Sequence, residues 1–349
     1  MYFYRNIENN INVVFKGDEE MNFKKKLLVV FLILTFIFPI YVFAYSDKVI
    51  LGGDNIGISV NTKEVLVVGF YKVNDSYIAK DAGFVIGDKI TKVNGNQVTS
   101  INELVNEINK VENKENVEFT ILRNDVEKKV YLSLVKENDN YKTGLYIKDQ
   151  ITGVGTLTYI DPESMIFGSL GHEILDNSTG KIVNIKSGKI FEALVTGNIK
   201  STNVSTGEKR AIFNQDKVYG IINKNTNKGI FGIYKDNVDN VSLIDVAGID
   251  EIEIGPAQIY TVLNNNDVKS YEINIIKIND ELTTKNILFE IVDEELLENT
   301  NGVIKGMSGS PIVQNNKIIG AVTHAIVNDN TKGYGIFITT MLEEGERGS

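Results

Sequence analysis

The chain has 349 residues, no cysteine and two histidines. This excludes a disulfide framework, a Cys-ligated metal and a thiol nucleophile, and leaves any imidazole chemistry to His172 or His324. With 46 acidic and 36 basic side chains the net charge is −10, so no phosphate-neutralising surface of a general nucleic-acid binder is expected. A hydrophobic content of 42% supports packed cores, and the length suits roughly two domains of ~100–200 residues. No Gly-rich nucleotide loop and no HExxH occurs, so neither cofactor nor metal is expected.

Lys24, Lys25 and Lys26 precede an uncharged, mostly apolar run from Leu27 to Ser46, closed by Val42-Phe43-Ala44. A basic start, an apolar core and small residues at the −3 and −1 positions are the marks of a signal peptide, and the run is also about long enough to span a bilayer once. Residues 1–48 are therefore a leader, with Met21 as the true start. Cleaved signal and retained anchor both stay open, and both export the rest of the chain.

Residues 49–138 alternate as strands around one helix. Ile56, Ile58 and Val60 form one apolar face, followed by Val65 and Val67. Asn94-Gly95 between Ile90/Val93 and Val98 is a tight-turn signal. Ser100-Ile101-Asn102-Glu103 reads as a capping box that opens a helix with Ile101, Leu104, Val105, Ile108 and Val111 on its apolar side. Two alternating strands follow, through Val117/Phe119/Ile121 and Val130/Leu132/Leu134. At AGFVIGDKITKVNGNQV the chain resembles a PDZ domain of the bacterial secreted-protease type. That resemblance implies an α+β fold that binds a peptide terminus as an added strand. It places the carboxylate-receiving segment at Leu51, Gly52, Gly53, Ile56, Gly57 and Ile58, although circularly permuted PDZ domains shift that loop.

Residues 139–349 read as about ten short strands between Gly/Asn turns, with few segments of helical period. Among them are Leu145–Lys148, Gly155–Tyr159, Lys181–Ile185, Val218–Ile222, Gly229–Tyr234, Lys269–Lys277, Ile287–Val292, Gly302–Ile304, Lys317–His324 and Gly335–Ile338. A mostly β, barrel or sandwich-pair domain is expected. Gly306-Met307-Ser308-Gly309-Ser310-Pro311 sets a Ser between glycines, where backbone N–H groups can converge on an oxyanion. Ser needs a neighbouring base. His172 sits in a similar Gly-flanked strand end, Phe167-Gly168-Ser169-Leu170-Gly171-His172. Ser308 is the nucleophile and His172 the general base, with Ser310 and His324 as the respective alternatives. Nine aspartates lie between His172 and Ser308, and spacing alone does not choose among them; Asp293 ends an apolar strand and Asp176 lies close to His172. The oxyanion hole would use the N–H groups of Gly306 and Ser308.

The order of His then Ser in a β domain matches a chymotrypsin-like double β-barrel, and GMSGSP resembles that family's Gly-Asp-Ser-Gly-Gly element, with Met307 where Asp stands. The blocks GVGTLTYIDPESMIFGSLGHEI and GMSGSPIVQNNKIIGAVTHAIVNDNTKGYGIFI, behind a leader and a PDZ segment, resemble the SpoIVB peptidases, the stage IV sporulation serine peptidases of endospore-forming bacteria. The resemblance implies an exported serine endopeptidase acting in the space between the forespore membranes. It would cut the extracytoplasmic part of a membrane regulator of an intramembrane protease, or a related sporulation membrane protein, and also itself, so signalling toward a mother-cell sigma factor. It also favours Asp293 as the third catalytic member and makes Thr323 an active-site lining residue. Two other classes stay open: an inactive PDZ scaffold, and a quality-control protease of exported proteins.

Overall fold

The structure is a computed structural model that describes residues 45–137, 140–176, 179–238 and 242–347. The predicted signal peptide or anchor, up to Ala44, lies outside the described residues. Among the described residues no helix is long and apolar enough to cross a membrane.

The fold is mostly β. Strands β1 (Lys48–Leu51) and β2 (Asn55–Phe70) lead into a small unit made of β3 (Lys89–Val93), β4 (Asn96–Gln97), a helix at Ile101–Lys110, β5 (Val117–Arg123) and β6 (Val126–Leu132). After a short hairpin, β7 (Val135–Glu137) and β8 (Asn140–Lys142), the chain leaves through β9 (Leu145–Ile160). Strands β2 and β9 have 16 residues each and run antiparallel through two parts of the molecule. Leu66–Phe70 pairs with Leu145–Lys148 inside the small unit, whereas Asn55–Asn61 pairs with Gln150–Thr156 in the large one.

The small unit packs Val65, Phe84, Ile90, Leu104, Phe119 and Leu145 into a core of its own. The Asn94-Gly95 turn joins β3 to β4 as expected. Ser100 caps the helix by accepting from Glu103 N–H (3.2 Å), while the Glu103 carboxylate reaches Thr99 N–H (2.7 Å). The PDZ-like plan is therefore present.

The large unit continues with β10 (Ile166–Ser169), β11 (Ile185–Ile199), β12 (Glu208–Thr226), β13 (Gly229–Tyr234), β14 (Leu243–Val246), β15 (Gly255–Val262), β16 (Val268–Ile278) and β17 (Ile287–Ile291). A helix at Glu294–Thr300 precedes β18 (Pro311–Gln314), β19 (Lys317–Ile326) and β20 (Asp329–Phe337), and a helix at Ile338–Glu346 ends the described chain. One core joins Ile56, Ile58, Ile160, Phe167, Ile190 and Ile222. A second joins Ile259, Ile273, Phe289, Ile312, Val322 and Phe337. Tyr159, Phe231, Ile336 and Met341 form a further cluster with residues from both sides. The large unit thus holds two β cores in series.

Four expectations change. The strand expected at Lys181–Ile185 is reduced to an isolated bridge at Ile182, with β11 starting only at Ile185. The segment Leu51–Ile58 is not a PDZ loop. Gly52 and Gly53 donate to Thr158 and Leu157 carbonyls at 3.0 and 2.8 Å, and Ile56 and Ile58 belong to the first core of the large unit. The reason is that β2 does not turn back at Asn61-Thr62 but runs on, so its first half joins β11 and β9. Gly302–Ile304 is an irregular segment rather than a strand. The end of the strand expected at Gly335–Ile338 turns into a helix, whose buried Ile338, Met341, Leu342 and Gly345 follow a helical period.

Candidate active site

Strand β10 is buried throughout and delivers His172 through a turn at Leu170-Gly171, where both residues have φ of +68°. Only Gly fits at 171: a Cβ there would come within 2.8 Å of Thr323 Cγ2 and 3.0 Å of Ile336 Cγ2. The turn thus presses on β19 and β20 and aims His172 along the cleft between the two cores. His172 Nδ1 lies 2.8 Å from the Glu173 carbonyl oxygen. A carbonyl only accepts, so Nδ1 carries the proton and Nε2 keeps its lone pair, the form a general base needs. Burial holds the imidazole below its ordinary pKa, which keeps it neutral at pH 7.

The nucleophile turn, Lys305 to Ser310, can be accounted for atom by atom. Every carbonyl in it has a donor. Lys305 O accepts from Lys209 N–H (2.9 Å), and Gly306 O from Thr156 Oγ1 (2.7 Å). Met307 O accepts from Ser310 N–H (2.9 Å), and Ser308 O from Thr156 N–H (2.9 Å). Gly309 O accepts from Thr158 Oγ1 (2.7 Å), and Ser310 O from Val322 N–H (2.9 Å). On the donor side, Lys305, Met307, Gly309 and Ser310 give their N–H groups to Gly207, Ile304, Val322 and Met307 carbonyls. Among the described residues, the N–H groups of Gly306 and Ser308 have no protein acceptor. Buried backbone donors are rarely left over without cause, and these two are the pair an oxyanion hole requires. Gly309 is obligatory here, since a Cβ would sit 2.0 Å from Thr156 O, at a φ of +93°.

His172, Ser308, Gly306, Lys305 and His324 line one cleft of about 410 Å³, together with Ile58 of β2 and the β9 stretch Ile151–Val154. Ser308 is half-buried and its Oγ donates to the Thr323 carbonyl at 2.9 Å. The Ser308 hydroxyl proton is therefore given to Thr323 and not to His172. Thr323 is buried, holds Ser308 through its carbonyl, touches the His172 turn through its methyl group, and donates its own hydroxyl to Tyr334 O (3.0 Å). Ser310 is fully buried behind the turn, with Oγ 3.5 Å from Thr156 Oγ1, so it cannot meet a substrate.

A family model for SpoIVB peptidase S55 matches residues 139–342 and one for a PDZ domain matches residues 55–134. The chain belongs to the SpoIVB peptidase S55 family. It is a serine peptidase with a PDZ domain. Two solved structures are similar to it. One is a serine-to-alanine mutant of Rv3671c from M. tuberculosis H37Rv in an inactive form, 13% identical over 56% of this chain and 83% of that chain, with a TM-score of 0.30. The other is Rv3671c protease, also an inactive form, 13% identical over 56% and 85% of the two chains, with a TM-score of 0.29. No curated protein matches the chain.

In this peptidase the structure brings His172, Ser308, Gly306 and Thr323 together but does not bring Asp293 to them. Asp293 caps the Glu294–Thr300 helix, its Oδ1 accepting from Leu296 N–H (2.9 Å) and its Oδ2 from Glu272 N–H (3.2 Å). Across the sheet, His324 pairs with Tyr334 and Tyr334 with Leu288. Asp293 lies five positions beyond Leu288, about 17 Å along an extended chain. Asp176 pairs instead with Lys148 and accepts from Thr179 N–H (2.9 Å). The imidazole next to His172 belongs to His324, with ring centroids 5.0 Å apart. Desolvation, then His172 and Lys285, push the His324 pKa down to about 4, so it stands beside His172 as a neutral imidazole at pH 7 and adds no positive charge there.

Thr156, Thr158 and Lys209 are functional neighbours that sequence reasoning does not single out. The two threonines lie on one face of β9 by its two-residue period, and both are fully buried. A pair of hydroxyls inside the otherwise apolar stretch Val154–Ile160 at the end of β9 is the signal that could have found them.

In the PDZ unit, among the described residues, Leu145–Lys148 of β9 pairs with β2 alone, and the first residue of the Ile101–Lys110 helix gives its N–H to Asp149 Oδ2, just beyond that stretch (2.8 Å). Gly144, with φ of +72°, turns the chain into this strand.

Proposed function

We propose that the chain is an exported serine endopeptidase of sporulation. It cuts the extracytoplasmic part of a membrane regulator in the space between the forespore membranes, cuts itself, and so signals toward activation of a mother-cell sigma factor. The observation that carries the catalytic part is the cleft in which Ser308, neutral His172 and two unclaimed N–H groups face one volume. In this reading Ser308 Oγ attacks the scissile carbonyl and His172 Nε2 takes its proton. The N–H groups of Gly306 and Ser308 hold the oxyanion, and His172 returns the proton to the leaving amine. Thr323, buried behind the cleft wall, releases the hydroxyl. The charge that builds on His172 meets the dipole of the Glu173 carbonyl.

The PDZ unit binds an extended peptide terminus along Leu145–Lys148, with Gly144 and its neighbours at the carboxylate end. Because β9 runs from that stretch to the cleft wall at Ile151–Val154, a bound peptide and the scissile bond would be held by one strand.

Mass spectrometry of the protein recovered from sporulating cells, wild type against Ser308→Ala, tests the proposal. Self-cleavage fragments and one or two discrete cuts in a membrane protein, all lost in Ser308→Ala, are expected. Broad cleavage of unfolded proteins would mark a quality-control protease. Sporulation function that survives Ser308→Ala would mark a scaffold.

A further inference from the structure

Lys209, at the start of β12, carries a buried amine that the catalytic scheme does not use. It is 5% exposed. Its Nζ donates to Asn55 Oδ1 of β2 and Thr261 Oγ1 of β15, both at 2.8 Å. Both partners are neutral, and burial pushes the amine down to about 7. A buried amine without a counter-ion is costly to keep, so its place in the fold calls for a reason.

That place is behind the oxyanion loop. Lys209 N–H donates to Lys305 O (2.9 Å), and Lys305 N–H donates to Gly207 O (2.8 Å). The chain Gly207–Lys209 thereby grips Lys305 on both sides, as a parallel bridge. The carbonyl of Lys305 and the N–H of Gly306 belong to one peptide unit, which is planar and trans, so the two point in opposite directions. Tying the carbonyl to Lys209 turns the Gly306 N–H away from β12. The side chain completes the seat: a Cβ on Gly306 would lie 3.0–3.1 Å from Lys209 Cβ, Cγ and Cδ. The aliphatic stem is thus in close contact with the oxyanion glycine, and the amine anchors that stem to two strands from opposite cores.

We propose that Lys209 is the positioning residue of the oxyanion hole, its backbone orienting the Lys305–Gly306 peptide and its anchored stem preventing that peptide from flipping. This rests on the assignment of Ser308 and Gly306 above. It assigns to one residue a choice between two backbone states, Gly306 N–H facing the cleft or facing the protein. Loss of the stem leaves room behind a glycine that can adopt either state.

The test is saturable labelling of the purified chain by a peptidyl fluorophosphonate, which reads nucleophile and oxyanion hole without knowledge of the natural substrate. Ser308→Ala abolishes labelling; if it does not, the nucleophile assignment fails, independently of Lys209. Lys209→Ala is expected to lower the maximal labelling rate by about 10- to 100-fold, with the half-saturating concentration within about 2-fold, and Lys209→Met, which keeps the stem, to recover part of the rate. A purely structural role would change thermal stability and reagent affinity without this selective loss of rate. Folded Lys209→Ala that labels at the wild-type rate overturns the proposal. Should Lys209→Ala fail to fold, Thr261→Val removes one anchor only; a rate 3- to 10-fold down supports the proposal and an unchanged rate overturns it.

Discussion

The two walls of the cleft are built to different standards. On the Ser308 wall every carbonyl from Lys305 to Ser310 is tied down, by donors from β9, β12, β19 and the turn itself. On the His172 wall the ring of the proposed base has, among the described residues, one hydrogen bond, to a carbonyl of the next residue, and an uncharged imidazole beside it. The difference teaches which part of catalysis the fold prepares in advance. Electrostatic stabilisation of an oxyanion depends on donors that do not reorganise during reaction, and those are rigidly placed. Proton transfer is left to a neutral ring whose serine is parked on Thr323. Substrate binding has to complete that half.

The largest expected effect comes from the sparsely supported wall. His172→Ala should lower fluorophosphonate labelling by about 10³- to 10⁴-fold, as removal of a catalytic base does, whereas His324→Gln should stay within about 3-fold. The reverse order would move the base to His324. The pH dependence sharpens this. Because the His172 pKa is lowered by burial, the neutral base persists as pH falls through 6.5, and the labelling rate should drop only at more acidic pH. The same shift has a stability sign. The unfolded chain takes up this proton before the folded one does, so stability falls as pH drops below about 6.5. A rate that is half lost at or above pH 6.5 would show that His172 meets a carboxylate in solution.

A smaller effect is expected on the densely bonded wall, where the loss of one bond is shared. Thr156→Val deletes the hydroxyl on Gly306 O but keeps the shape and the N–H to Ser308 O. A buried carbonyl left without its donor costs about 1–3 kcal/mol, and the Gly306 peptide gains freedom to tilt. Labelling should fall about 10-fold, with a thermal midpoint a few degrees lower. If Thr156→Val labels at the wild-type rate, the carbonyl network is a folding device and not a catalytic one.

How much of this is legible without coordinates follows the same division. His172 and Ser308 stand out because the chain holds two histidines and because a Gly-flanked Ser at a strand end is chemically distinctive. The β character, the Asn94-Gly95 turn and the helix at Ile101–Lys110 are local features, set by residues within a few positions of each other. Lys209 is illegible for the opposite reason. Between Glu208 and Arg210 it reads as part of a solvated charge run, and its burial depends on Asn55, 154 positions away. The misplaced peptide-binding segment has a similar cause. The Ile56/Ile58/Val60 alternation correctly marks a half-buried strand, but period two does not say which sheet the strand joins. The long β2–β9 ribbon decides that, through partners 75 to 101 positions distant.

The sharpest test of the contrast between the walls is expected to have almost no effect. Asp293 is the carboxylate that family resemblance favours for the triad, and the helix cap is where the structure puts it. Asn caps a helix about as well as Asp, so Asp293→Asn retains the hydrogen bond to Leu296 N–H and removes the charge together with the longer, exposed acceptance from Glu272 N–H (3.2 Å). A capping residue about 17 Å along the chain from Leu288 predicts an unchanged labelling rate and pH profile, with stability within about 0.5 kcal/mol. A triad carboxylate predicts a rate loss of about 10⁴ through the wrong imidazole tautomer. Here the Nδ1 proton is held by the Glu173 carbonyl, so the tautomer survives loss of the charge. Asp293→Ala provides the internal scale, because loss of the cap itself should cost about 1 kcal/mol whether or not the rate moves.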